Sequence, residues 1–229
     1  MNARTAARAD LSREGIVDRA LAIADAEGTE AITIRRIAKE FGVTPMALYW
    51  HVQNKDELLA AMGDRFFDDL PPLPATGSAT HRLRSVVLAL VESLRRHPAS
   101  VNLAGPRALQ CERGRQLAED VLGMLRAAGF TDVEAGDIAR TALQTAIVLV
   151  NQQAGAEPQI AAQEREAVRV AKRAALAALP PERFPNLIAC ADTLTACEDP
   201  DGYFEFGVDL FVAGVERLQA ARKRQNRKA

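Results

Sequence analysis

The chain has 229 residues, 48% of them apolar and 5% aromatic, and 29 basic against 30 acidic side chains leave a net charge of −1. These proportions exclude wholesale disorder, and the length suffices to bury one large core or two small ones. Three cysteines do not make a secreted disulfide framework, no apolar leader accompanies Arg4, Arg8 and Arg13, and the longest uncharged stretch, Thr141 to Ala156, carries Gln144, Asn151, Gln152 and Gln153, so a cytoplasmic protein with no membrane partner is expected.

Period-two runs of β-branched and aromatic residues are absent and apolar residues recur at helical spacing, which predicts an all-α fold. The first helix is predicted from Ser12 to Glu27, where Ile16, Val17, Ala20, Leu21 and Ala24 form one stripe and Gly28 suits the left-handed position past the last turn. Thr33 can cap a short second helix carrying Ile34, Ile37, Ala38 and Phe41 on one face, and Gly42 ends it. Thr44 caps a third helix, with Pro45 at its first position, that reaches only about His51. Asn54 with Glu57 three residues on reads as a capping box for a fourth helix through roughly Leu70. Pro71, Pro72, Pro74 and Gly77 then mark a linker over 71–78, between a domain at 1–70 and a second at 79–229. In the second, helices are predicted at His81–Arg96, Cys111–Ala128, Asp132–Gln153, Pro185–Ala196 and Pro200–Arg224. The stretch Glu157–Leu179 is helix-prone, and Arg222, Lys223, Arg224, Arg227 and Lys228 make a frayed basic tail.

Helices two and three, joined at Gly42, make a helix-turn-helix. Ala38 is small enough for a close crossing, Ile37, Phe41, Val43 and Leu48 can lock its angle, and Trp50 is expected in the core. The third helix then offers Thr44, Met46, Ala47, Tyr49 and His51 outward, and such a short helix fits a major groove about 12 Å wide. Many αα corners share this pattern without binding DNA.

The residues are more specific than the pattern. Thr33-Ile34-Arg35-Arg36-Ile37-Ala38, Phe41-Gly42-Val43, Leu48-Tyr49-Trp50-His51-Val52 and Asn54-Lys55-Asp56-Glu57-Leu58-Leu59 together resemble the TetR family of bacterial repressors. The Leu-Tyr-Trp-His-Val run followed by Asn-Lys is similar to the tetracycline-repressor branch. So are Arg96-His97-Pro98, Leu103-Ala104-Gly105, Ala128-Gly129-Phe130-Thr131 and Glu205-Phe206-Gly207-Val208 to Gly214-Val215-Glu216 further on. The resemblance implies an N-terminal three-helix helix-turn-helix DNA-binding domain, a helical ligand-binding and dimerisation domain, and a homodimer that binds a palindromic operator in double-stranded DNA and is released by a small-molecule effector. It also implies that Thr44, Pro45, Met46, Ala47 and His51 face bases, that Tyr49 and Lys55 grip phosphate, and that Thr33 and Arg35 flank at the start of helix two. Lys55 is electrostatically unfavourable in a first helical turn, a cost that a nearby phosphate offsets. Arg4 and Arg8 read on composition as a disordered tail, with a minor-groove arm as the alternative.

In the second domain Asn102, Gln144, Thr145 and Gln152 are polar residues within apolar surroundings, with Leu103, Ile147 and Val148 as apolar wall, and they are the expected ligand-binding set, with hydrogen bonding inside the protein or across the dimer as the alternative for each. The resembled branch holds Mg²⁺ and its drug through a His before Leu-Gly. Here Asn102 precedes Leu103-Ala104, so no metal and no cofactor is expected, and the predicted effector is neutral or weakly polar. The helix Asp132–Gln153 is apolar nearly all round. The last helix carries two stripes, one of Phe204, Val208, Phe211, Val215 and Leu218 and one of Phe206, Leu210, Ala213 and Arg217, with Gly207 and Gly214 sharing a face. Two such helices suit an intermolecular four-helix bundle, with a large monomeric core as the alternative.

No enzyme is expected: His51, His81 and His97 are scattered, and no phosphate loop, nucleophile elbow or HExxH motif is present. Cys190 and Cys197, at a spacing of seven that puts them on one helix face, leave a thiol-based redox regulator open, and a helical interaction adaptor without DNA is the other alternative. By region, residues 1–55 carry +1, 56–70 carry −4 and 71–229 carry +2. Few phosphates can be neutralised, so base contacts have to carry discrimination.

Overall fold

A computed structural model describes residues 11–153 and 162–226. The described residues form twelve α-helices and two short 3-10 turns with no strand. Arg4 and Arg8, the Glu157–Ala161 part of the helix-prone stretch, and Arg227 and Lys228 lie outside the described residues.

The first four helices are α1 (Arg13–Glu27), α2 (Ile34–Glu40), α3 (Pro45–Leu48) and α4 (Lys55–Asp68). Ser12, Thr33 and Asn54 cap α1, α2 and α4, accepting from the amides of Gly15, Arg36 and Glu57 at 3.0, 3.0 and 2.8 Å. Caps of this kind contribute about 1 kcal/mol each. Thr44 occupies the capping position of α3, but its side chain makes no cap bond, which leaves the hydroxyl free. Between α2 and α3 the chain turns at Gly42, with φ +62°. There Gly42 N–H donates to the Lys39 carbonyl and Val43 N–H to the Ala38 carbonyl, at 3.1 and 3.0 Å. This pair of bonds needs the left-handed backbone that glycine adopts without strain.

The second half contains α5 (Ala79–Arg95), α6 (Ala104–Arg107), α7 (Glu112–Ala127), α8 (Asp132–Asn151), α9 (Ala162–Ala177), α10 (Pro185–Ala189), α11 (Ala191–Thr195) and α12 (Pro200–Asn226). Thr131 and Glu134 form a reciprocal capping box at the start of α8. Helix α12 runs antiparallel to both α5 and α8. Its first turn meets the end of each, through Asp201–Arg95 at 2.6 Å and Tyr203 Oη to the Leu149 carbonyl at 3.2 Å. Further along, Asp209 meets Arg84 at 2.5 Å and Arg222 meets Glu134 at 2.7 Å. One contiguous core runs from Ile16 and Leu21 through Leu48, Met62 and Phe66 to Leu90, Leu125 and Val208.

Three expectations change. The Pro185–Ala196 helix is two short helices, so Cys190 sits between them and Cys197 lies beyond the second, on no common helix face. Arg222 is not in a frayed tail, because α12 continues to Asn226 and Glu134 holds the guanidinium. Gly207 serves the chain's own packing: a side chain there would run into Leu149 of α8, whereas Gly214 faces open space. Between α5 and α6, Pro98–Leu103 form a 3-10 turn that leads directly into α6.

Candidate functional site

The helix-turn-helix leaves an exposed stretch at its tip. Thr44, Pro45, Tyr49 and Trp50 are exposed and Ala47 and His51 are half-buried, while Leu48 and Val52 are fully buried and hold the turn to the core. Met46 is 69% exposed and Trp50 87%. The placement of Trp50 reverses the expectation of a core residue. A helix of four residues is too short for sequence periodicity to fix which side faces in. Thr33 is exposed with its hydroxyl spent on the α2 cap.

Charge in this region is largely neutralised internally. Arg36 forms a bidentate pair with Glu27 at 2.7 and 2.8 Å and a third bond to Glu40 at 3.0 Å. Arg13 donates to the His51 carbonyl at 2.8 Å and to Glu57 at 2.6 Å. Glu57 also accepts from Gln53 N–H at 2.7 Å, and that backbone bond together with Arg13 holds its carboxyl below the usual carboxylate range. Among the described residues of this region, Arg35, Lys39 and Lys55 have no carboxylate partner. Lys39, exposed near the end of α2, is not among the residues expected from sequence.

The second feature is a cavity of about 550 Å³ between α5, α7 and α8. Leu83, Val86 and Leu90 line it from α5, Leu117, Val121 and Leu122 from α7, and Ala139, Ala142 and Leu143 from α8. Phe67 of α4 closes one end, and Gly105, Ala108 and Leu109 close a side. Polar groups lie only where α8 begins. There Asp137 pairs with Arg140 at 2.8 Å, and Asp132 with Arg126 at 2.7 Å.

None of the seven residues expected to bind ligand lines this cavity. Gln144, Val148 and Gln152 are exposed and recur every four residues, on the outer side of α8. Thr145 is half-buried, and Ile147 is half-buried against Gly105. Asn102 is exposed and accepts the Asn151 amide at 2.8 Å, and Leu103 is half-buried in the turn before α6. The amides are therefore not stranded in the core. They face outward, and the cavity lies along the first three turns of α8. The local signal for it is Val133, Gly136, Ala139 and Leu143, small and apolar residues at helical spacing in the N-terminal part of α8.

Helix α4 connects the two features. It begins at Lys55, beside the exposed tip, and ends with Phe67 in the cavity wall. Midway, a side chain at Gly63 would sit 2.6 Å from the Leu103 carbonyl, so α4 and the turn before α6 are in direct backbone approach. Next to it, Asp64 holds Arg107 through two bonds of 2.5 and 3.1 Å. A further tie joins α1 to the same turn: Asp25 pairs with His97 Nδ1 at 2.7 Å and accepts Ala99 N–H at 3.3 Å. No helix among the described residues is long and apolar enough to cross a membrane. Among them no three or more His, Cys, Asp or Glu side chains are grouped as metal ligands.

Residues 16–62 match the family described as bacterial regulatory proteins, tetR family. Residues 71–219 match the tetracyclin repressor-like C-terminal domain. The chain is 28% identical over 226 residues to the HTH-type transcriptional repressor DrrR1 of Streptomyces coeruleorubidus, covering 93% of this chain and 80% of that one. It is also 28% identical to the tetracycline repressor protein class C of Escherichia coli, over 91% of this chain and 92% of the relative. The Streptomyces coelicolor TetR family protein ActR, solved in complex with actinorhodin, superposes with a TM-score of 0.72 at 28% identity, covering 91% of this chain and 98% of that one. With both halves of the chain matched, around the same tip and the same helical frame, the protein belongs to the TetR family of bacterial regulatory proteins.

Proposed function

We propose that the protein is a ligand-responsive, DNA-binding transcriptional repressor acting in the cytoplasm as a homodimer. The first 70 residues read a palindromic operator, and the remainder binds the effector and pairs the two copies. The observation that carries this reading is α4, a helix of 14 residues, about 20 Å long, with one end at the exposed tip and the other in the cavity wall. In DNA, α3 presents Thr44, Pro45, Met46, Ala47 and His51 to bases, Tyr49, Lys55 and Arg35 meet phosphate, and Thr33 flanks them. Pairing through α8 and α12 accounts for their outer faces, where Phe206 is 65% and Leu210 61% exposed. A two-fold pair places the tips on half-sites one helical turn apart.

The cavity takes a neutral, largely apolar organic effector. Its walls are hydrocarbon and its charged groups are already paired at the mouth. The ActR complex with actinorhodin supports an organic effector in this frame. Asn102 stands where the tetracycline-repressor branch places a metal-ligating His, and its amide oxygen is engaged by Asn151, so a Mg²⁺–tetracycline chelate does not fit here. Filling the cavity displaces the segment carrying Gly105, Ala108 and Leu109. That segment is clamped to α4 at Gly63 and Asp64, and the tips leave operator spacing. To move a DNA-competent population from 99:1 to 1:99, the effector must favour the released form by about 5.5 kcal/mol. Fluorescence anisotropy of labelled DNA from upstream of the gene tests this. Release is expected with a neutral polycyclic compound and not with tetracycline plus Mg²⁺. Release by the chelate alone contradicts the reading.

A further inference from the structure

A second cleft, of about 100 Å³, lies beside the large cavity, walled by Leu70, Pro71, Pro72 and Pro74 on one side and by Ser85, Val86, Ala89 and Leu117 on the other. We propose that this cleft under the proline strap is an annex of the effector site that takes a short alkyl branch of the effector; the proposal rests on the reading of the large cavity as that site. Val86 and Leu117 line both spaces, so these two side chains form the partition between them.

The chemistry of the annex selects hydrocarbon. Proline has no backbone N–H, so a strap with three prolines walls the cleft without presenting those donors. The one lining hydroxyl, on Ser85, is committed to the His81 carbonyl at 3.1 Å. Arg82 Nε fixes the strap by donating to the Pro74 carbonyl at 2.6 Å, which keeps the wall in place over α5.

Volume sets the size of each part. A cavity of about 150 Å³ accommodates a benzene ring. The large cavity at about 550 Å³ therefore holds a scaffold of about three to four rings. The annex, at two thirds of a benzene-binding volume, holds a branch of a few carbons and no ring. The effector class is thus a neutral polycycle with a short alkyl substituent. Because Leu70 and Pro71 follow α4 directly, a filled annex also presses on the end of the helix that reaches the tip.

Isothermal titration calorimetry of the full chain with anthraquinone and its 2-ethyl, 2-tert-butyl and 2-pentyl derivatives tests the annex. The tert-butyl compound is expected to bind at least tenfold tighter than the parent, since each buried methylene adds a favourable increment. Ala89→Phe, at a half-buried position in the annex wall, abolishes that gain and leaves the parent within twofold. Val86→Ala opens the partition and shifts the preference to the pentyl branch. An alkyl gain that is absent in the wild type, or unchanged in Ala89→Phe, overturns the annex. Failure of every member of the series to bind the wild type and both variants overturns the effector-cavity reading itself.

Discussion

Trp50 is the chain's one tryptophan and stands in water one residue after Tyr49, at the tip assigned to DNA. An indole this exposed contributes nothing to the core, so its surroundings change only if something docks there. Its emission is expected to match tryptophan in water and to be quenched by iodide. Operator DNA protects it, and a cavity ligand alone leaves it unchanged; iodide quenching that DNA does not alter would place the interface elsewhere. Glu57 works on the other side of the same turn, holding Gln53 N–H and Arg13, whose guanidinium also holds His51. Its folded pKa lies below the unfolded value of about 4.3, so its contribution is present above that pH and is lost as pH falls through the folded pKa. In thermal melts, Glu57→Gln is less stable than wild type at neutral pH, and the gap narrows below about pH 4. A gap independent of pH contradicts the assigned role.

At the scale of elements, the Asp64–Arg107 clamp touches neither the DNA tip nor the cavity lining, yet it joins α4 to the segment that lines the cavity. Arg107→Ala is expected to keep operator affinity and ligand affinity within about threefold and to raise the ligand concentration needed for release by tenfold or more, read by anisotropy. Unaltered release would show that the coupling runs elsewhere, through Asp25 and His97 for example. What the sequence made legible here is local. Thr33 and Asn54 cap where their side-chain chemistry predicts, because a cap involves only the next three residues, and Ser12 and Thr131 cap α1 and α8 in the same way. The helix-turn-helix is legible for the same reason, through Gly42 and the apolar positions around it. The exposure of Trp50 and the break at Cys190 are settled by packing against the rest of the chain. The cavity is a space between α5, α7 and α8, and no single helix encodes it. Its α8 wall lies before the segment that carries Gln144 and Gln152, whose amides face outward, and sequence alone does not separate an outward amide from a buried one.

For the whole molecule, the net charge of −1 translates into few free cations at the DNA-facing end. If Arg35, Lys39 and Lys55 in each of two copies meet phosphates in the proposed complex, about six are neutralised, and the expected slope of log Kobs against log salt concentration is about −5. A slope near −9 instead would bring Arg4 and Arg8 of both copies into contact with phosphate. With so little bulk charge, specificity has to come from base contacts and from two-fold geometry. The most direct test of that claim is selection of bound duplexes from a random-sequence pool, read by sequencing. Two inverted half-sites with centres about one helical turn apart are the expected outcome, and Met46→Ala should relax preference within each half-site. Recovery of a single half-site, or of no consensus sequence at all, would contradict a dimeric, base-reading repressor.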